Sequence, residues 1–126
     1  MGKRITISAG SVSVRAELND SPTARAIEQV LPIEASANTW GDEVYFSIPV
    51  TCEASDDARA DMEVGELAYW PVGKAFCIFF GATPASGADD RPRAASEVNP
   101  VGKVLDDATV LRTVIDGQTI TIAAQD

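Results

Sequence analysis

Apolar residues at Val12, Val14, Ala16 and Leu18 alternate with Ser13, Arg15 and Glu17, and no other feature constrains the fold of this chain more. A period of two buries one side of a segment and wets the other, which suits a strand and not a helix. Residues 5–8 read as a preceding strand, with Ala9-Gly10-Ser11 as the tight turn of a hairpin. Clear helical spacing occurs once. Ser21 stands as an N-cap and Pro22 takes the first helical position. Ala24, Ile27, Val30 and Leu31 then share one face until Pro32 stops the helix. A single amphipathic helix needs a sheet to cover.

Strand signals dominate from residue 33 onward. Residues 33–37 lead into a turn-like stretch, Asn38-Thr39-Trp40-Gly41-Asp42, and then into Val44-Tyr45-Phe46-Ser47-Ile48. Pro49 cannot donate to a ladder, so that strand ends, bulges or lies at an edge there. The acidic stretch 52–61 reads as a surface loop, and residues 65–70 as a strand closed by Pro71-Val72-Gly73. The run Ala75-Phe76-Cys77-Ile78-Phe79-Phe80 is apolar on both faces, as a central, fully buried strand would be. Residues 81–100 are rich in Gly, Pro, Ala and Asp and read as one long loop, unusual unless it is functional or mobile. A short strand at 101–104, a short helix capped by Asp106-Asp107 and carrying Val110, Leu111 and Val114, an Asp116-Gly117 turn and a strand at 119–123 complete the chain. Seven or eight short strands with Gly/Pro turns predict a mainly β fold, a closed barrel or sandwich rather than an α/β sheet.

At 126 residues the chain has room for one domain, 1–126. Ten Lys and Arg against nineteen Asp and Glu leave a net charge of −9, which argues against nucleic acid and anionic membranes as partners. The absence of histidine removes Ser-His-Asp and Cys-His nucleophile systems and every imidazole metal site. The start of the chain, Met1-Gly2-Lys3-Arg4, is followed by too short an apolar stretch for an export signal, so a cytoplasmic location is expected. Cys52 and Cys77 form no C-x-x-C motif. Cys77 reads as a small core residue, and a disulfide is not expected in a reducing compartment. The pairs Asp56-Asp57, Asp89-Asp90 and Asp106-Asp107 lack calcium-loop spacing, and residues 81–87 miss the phosphate-binding loop pattern. No metal and no cofactor is expected.

Both tryptophans and both tyrosines fall into two blocks, Trp40 with Tyr45 and Tyr69 with Trp70. Rings with polar edges at strand ends can line a ligand groove; equally, they can fill the interior of the fold and plug its ends. Glu43, between Trp40 and Tyr45, is either a carboxylate in a partly apolar setting with a raised pKa or a solvated turn residue. Asn38 either caps its own turn or contributes to binding. The candidate ligand-binding set is therefore Asn38, Trp40, Glu43, Tyr45, Tyr69 and Trp70. Lys74, after the Pro-x-Gly turn, could meet an anion but reads more simply as solvated.

Three blocks carry a family resemblance: residues 38–46 (NTWGDEVYF), 64–81 (VGELAYWPVGKAFCIFFG) and 99–104 (NPVGKV). In this order they resemble the small prokaryotic cyclophilin-like proteins, stand-alone domains without an assigned activity. The resemblance runs from the first hairpin to about Val104 and more weakly to the end. It implies a closed eight-stranded β-barrel with helices closing its ends. It does not carry catalysis with it. Prolyl-isomerising cyclophilins use Phe-His-Arg and Phe-Met-x-Gln-Gly-Gly motifs, whose arginine weakens the prolyl amide and lowers a barrier of roughly 20 kcal/mol. Neither motif is present, and residues 40–49 hold no arginine and no glutamine. The expectation is a domain that binds a small molecule or a short, proline-containing peptide without catalysing its isomerisation. Two alternatives stand beside it: a divergent prolyl isomerase, with Arg91 or Arg93 swinging in, and a non-catalytic protein partner of an amide-hydrolysing enzyme, a context in which related domains occur.

Overall fold

The computed structural model describes residues 2–125. The expected hairpin forms from β1 (Lys3–Ala9) and β2 (Val12–Leu18), with Gly10 supplying the positive φ of the turn. Helix α1 (Pro22–Glu28) starts where the sequence places it, the Ser21 hydroxyl accepting from the Ala24 N–H at 3.2 Å. Then come β3 (Ile33–Ser36), β4 (Asn38–Thr39), β5 (Glu43–Ser47), β6 (Arg59–Asp61), β7 (Glu66–Trp70), β8 (Ala75–Phe79), β9 (Arg93–Val104) and β10 (Thr119–Ala124). A short 3-10 helix, Ala108–Thr113, is capped by Asp107 as expected, its carboxylate accepting from the Thr109 N–H.

The fold is mainly β, but the expectation of a closed eight-stranded barrel is corrected. Ten strands among the described residues make one antiparallel sheet, ordered β3-β10-β1-β2-β9-β7-β8-β5-β4, with β6 beside β9, and the sheet does not close into a barrel. The two outer strands of that path, β3 and β4, are consecutive in the chain and separated by Ala37 alone. One pairs with β10 and the other with β5. The higher count comes from β4 and β6, two and three residues long, too short for a period to show.

The long loop expected over 81–100 is also corrected. Residues 93–104 form β9, which pairs with β2 and β7 near its end and with β6 near its start. A proline inside a strand argues against a regular ladder. Here the register with β7 shifts between Leu67 and Ala68, whose partners are Gly102 and Pro100, so the ladder skips one residue beside the proline.

The sheet buries apolar side chains on both faces. Val44, Phe46, Leu67, Tyr69, Phe76 and Ile78 join the main core with residues of β1, β2, β10, α1 and the 3-10 helix. The intervening Ala68, Cys77 and Phe79 point the other way, into a smaller core with Met62, Ala94 and Val98. β8 is buried along its whole length, as the doubly apolar run requires. No helix among the described residues is long and apolar enough to cross a membrane.

Candidate functional site

The smaller core opens into a pocket of about 190 Å³ lined by Trp40, Glu43, Tyr45, Trp70, Cys77, Ala94, Ala95 and Val98. Strand alternation puts the lining there. On β5, Val44 and Phe46 enter the main core, so Glu43 and Tyr45 face the opposite side. On β7 the same parity sends Leu67 and Tyr69 inward and Trp70 to the pocket. Tyr45 stands opposite Cys77, which stands opposite Ala68, and the small side chains leave room for the rings.

The rings are held by specific contacts. Tyr45 and Trp70 meet edge to face, centroids 6.4 Å apart at 85°. The Trp70 indole N–H donates to the Ser96 hydroxyl at 2.6 Å, tying the β7 ring to β9. Gly73 passes so close that a Cβ there would lie 2.6 Å from the Trp70 ring. Trp40 occupies the β4–β5 turn, its backbone N–H donating to the Glu43 backbone carbonyl at 2.9 Å, with Gly41 at positive φ completing the bend.

Glu43 brings the carboxyl group to the pocket. It is 5% exposed, and burial pushes its carboxyl up to about 7, opposed in part by a hydrogen bond with the Cys77 thiol. Burial, reinforced by the neighbouring carboxyl, pushes the Cys77 thiol well up, so it is protonated and unreactive at neutral pH. No cation compensates Glu43 among the described residues. Arg91 pairs with Glu63, Arg93 with Asp61, Arg59 with Glu66 and Arg112 with Asp42.

A family model described as cyclophilin-like matches residues 3–123. The chain belongs to the cyclophilin-like family. Among solved structures, this cyclophilin-like chain is similar to a hypothetical protein, AF2241, from Archaeoglobus fulgidus, whose solution structure shares 38% identity at a TM-score of 0.81. The match covers 98% of this chain and 95% of that one. No curated protein matches it.

Within this cyclophilin-like fold, the structure brings together four of the six candidate residues: Trp40, Glu43, Tyr45 and Trp70. Asn38 is exposed on β4, its amide donating to the Tyr45 carbonyl at 3.3 Å, and so supports the hairpin behind the pocket. Tyr69 is fully buried in the main core, on the opposite face from Trp70. Its hydroxyl donates to the Val50 carbonyl at 2.7 Å and accepts from the Cys52 N–H at 3.2 Å, anchoring the chain that leaves β5. Sequence reasoning assigned Cys77 to the core, where it is, but missed that it also floors the pocket. It missed Ala94, Ala95 and Val98 altogether. The signal available for Cys77 was its parity with Phe79 on a strand apolar on both faces. Both cysteines are free. Of the acidic pairs, Asp106 takes Arg15 and Asp107 caps the 3-10 helix, and no group of metal-ligating side chains occurs among the described residues.

Proposed function

We propose that this cyclophilin-like domain binds a small molecule, or one side chain of a short peptide, in the pocket of Trp40, Glu43, Tyr45 and Trp70, without prolyl isomerase activity. The observation that carries this reading is the convergence of three partly open aromatic rings on one buried carboxyl group in a pocket of about 190 Å³. That size suits a single ring or short alkyl group rather than an extended cofactor, since drug-sized sites run to about 300–1,000 Å³. Rings supply stacking area at small entropic cost, and the carboxyl fixes orientation.

Isomerisation needs a donor aimed at the prolyl nitrogen. No arginine lines the pocket, and Arg91 and Arg93 are engaged with Glu63 and Asp61. A peptide-isomerisation assay at micromolar protein is expected to return the uncatalysed rate; an accelerated rate abolished by Arg91→Ala or Arg93→Ala would replace this reading with the divergent isomerase. A melting-temperature screen against metabolites and proline-containing peptides tests binding directly. A ligand at about a hundred times its Kd stabilises the fold by about 2.7 kcal/mol. The shift is expected to disappear in Trp70→Ala and to persist in Lys74→Ala, because Lys74 is exposed in the β7–β8 turn. A shift indifferent to Trp70 would place the ligand elsewhere.

A further inference from the structure

We infer that the occupant of this pocket is a compact organic cation, an alkylammonium group whose charged head meets Glu43 and whose alkyl body lies against Trp40, Tyr45 and Trp70. The inference rests on the binding reading above and names its ligand class. Glu43 is buried to 95% in complement to its 5% exposure, lines the pocket and has no cationic partner among the described residues. A buried carboxylate is strongly unfavourable unless a cation or donors compensate it. Among the described residues the one donor to the Glu43 carboxyl is the weak Cys77 thiol. The missing partner is therefore a positive charge brought from outside. The rings reinforce the choice: they offer apolar surface to the alkyl body, and their quadrupoles favour a positive charge nearby over a negative one. An anionic ligand would find no cation in the lining and would stand against a carboxyl in a chain of net charge −9.

The groups around Glu43 can be named element by element. β8 offers the Cys77 thiol, β5 the Tyr45 phenol, the β4–β5 turn the Trp40 indole, and β7 the Trp70 indole. β9 offers Ala94, Ala95 and Val98, which carry no charge. Across β5–β8, Glu43 itself pairs with Phe79. Burial thus brings the Glu43 carboxyl to titrate near neutral pH within this lining. A cation that needs its ionised form binds less tightly as pH falls.

The same chemistry could come from a free amine or from a lysine side chain, and the test separates them. Both tryptophans of the chain line the pocket, so tryptophan emission, excited selectively over tyrosine, reports on it. The probes are n-butylamine, protonated throughout the range used, its neutral isostere n-butanol, butyrate, and the capped peptide acetyl-Ala-Lys-Ala-amide. At pH 8 butylammonium is expected to bind at least about tenfold more tightly than butanol, and about tenfold less tightly at pH 6 than at pH 8. The Glu43→Gln variant is expected to lose the preference for the amine over butanol and, with it, the pH dependence of amine binding. If that variant fails to fold, the pH series on the unaltered protein still decides the matter. Tighter binding of the peptide than of butylamine would make a protein chain the source; weaker binding would make it a free amine. Equal binding of amine and butanol, or tighter binding of butyrate, overturns the cation inference and leaves the aromatic pocket as a binding site. No response to any probe at millimolar concentration overturns both.

Discussion

At the scale of the residue, Glu43 couples folding to pH in a direction opposite to the other perturbed carboxylates of this protein. Its carboxyl is pushed up to about 7 in the folded state by burial, whereas an unfolded glutamate titrates near 4.5. Between these values the folded state binds the extra proton, so Glu43 favours folding below about 4.5 and loses that contribution as pH rises to about 7. The difference corresponds to about 3 kcal/mol. Asp106, Asp107 and Asp116, held below the usual carboxylate range by hydrogen bonds from Arg15, Thr109 and Thr39, work the other way and in a more acidic window. Urea midpoints measured from pH 5 to pH 8 should fall for the unaltered protein relative to Glu43→Gln, the two diverging until about pH 7 and then running parallel. Curves parallel throughout would mean that Glu43 is solvated. Gly73 supplies a second test at this scale. A methyl group there would sit 2.6 Å from the Trp70 ring, so Gly73→Ala should displace the indole, weaken its bond to Ser96 and shift the emission maximum with little loss of secondary structure. An unchanged emission spectrum would show that the ring does not depend on that close approach.

At the scale of the element, adjacent residues of one strand take opposite roles, and Tyr69 and Trp70 show how sharply. Tyr69→Phe removes a hydroxyl that satisfies both the Val50 carbonyl and the Cys52 N–H. It should cost about 1–3 kcal/mol of stability while leaving ligand binding unchanged. Trp70→Ala should do the reverse, abolishing binding at a smaller cost because its ring is partly open. Chemical denaturation combined with the ligand-induced melting shift measures both; equal loss of binding in the two variants would contradict the assignment of faces. Period-two alternation made β2 and β10 legible, the turns Ala9-Gly10-Ser11 and Pro71-Val72-Gly73 marked the ends of β1 and β7, and Ser21-Pro22 made the start of α1 legible, because each is a local rule with a local cause. The first half of β9 was not legible. Arg93-Ala94-Ala95-Ser96-Glu97 has neither alternation nor β-branched residues, and Pro100 argues against a strand. What makes it a strand is pairing with residues some thirty positions away, which no local window contains. The site divides along the same line. Trp40, Glu43, Tyr45 and Trp70 stood out by residue type, whereas Ala94, Ala95 and Val98 become lining only once β9 crosses the sheet. Tyr69 matched the pattern by type but not by parity, since a strand cannot send neighbours to one face.

At the scale of the whole molecule, one sheet separates two cores of very different size, and the pocket belongs to the smaller. Among the described residues, twenty-five buried side chains form the main core and six form the other. The covering segment, residues 82–98 with β6, is tied within itself by the Met62 N–H to the Pro92 carbonyl, the Thr83 hydroxyl to the Arg93 carbonyl and the ion pairs of Arg91 and Arg93, and reaches the sheet through the Trp70–Ser96 bond, the Asp42 N–H to the Ala82 carbonyl and the Arg59 guanidinium donating to the Glu66 carboxylate. The ion pairs are exposed, and such pairs contribute only about 0–1 kcal/mol each. Free energies of opening track buried apolar contact, so this segment should open without the rest. Native-state hydrogen exchange should therefore show amides of β6 and the start of β9 exchanging through a sub-global opening, while β1, β2 and β10 exchange only on complete unfolding. A ligand seated between Trp70 and Val98 bridges the sheet and its cover, so saturating ligand should slow exchange in the first group and leave its ranking below the second. Uniform exchange across both groups would mean that the two cores unfold as one unit, and the pocket would then owe its shape to the whole sheet rather than to a cover that can lift.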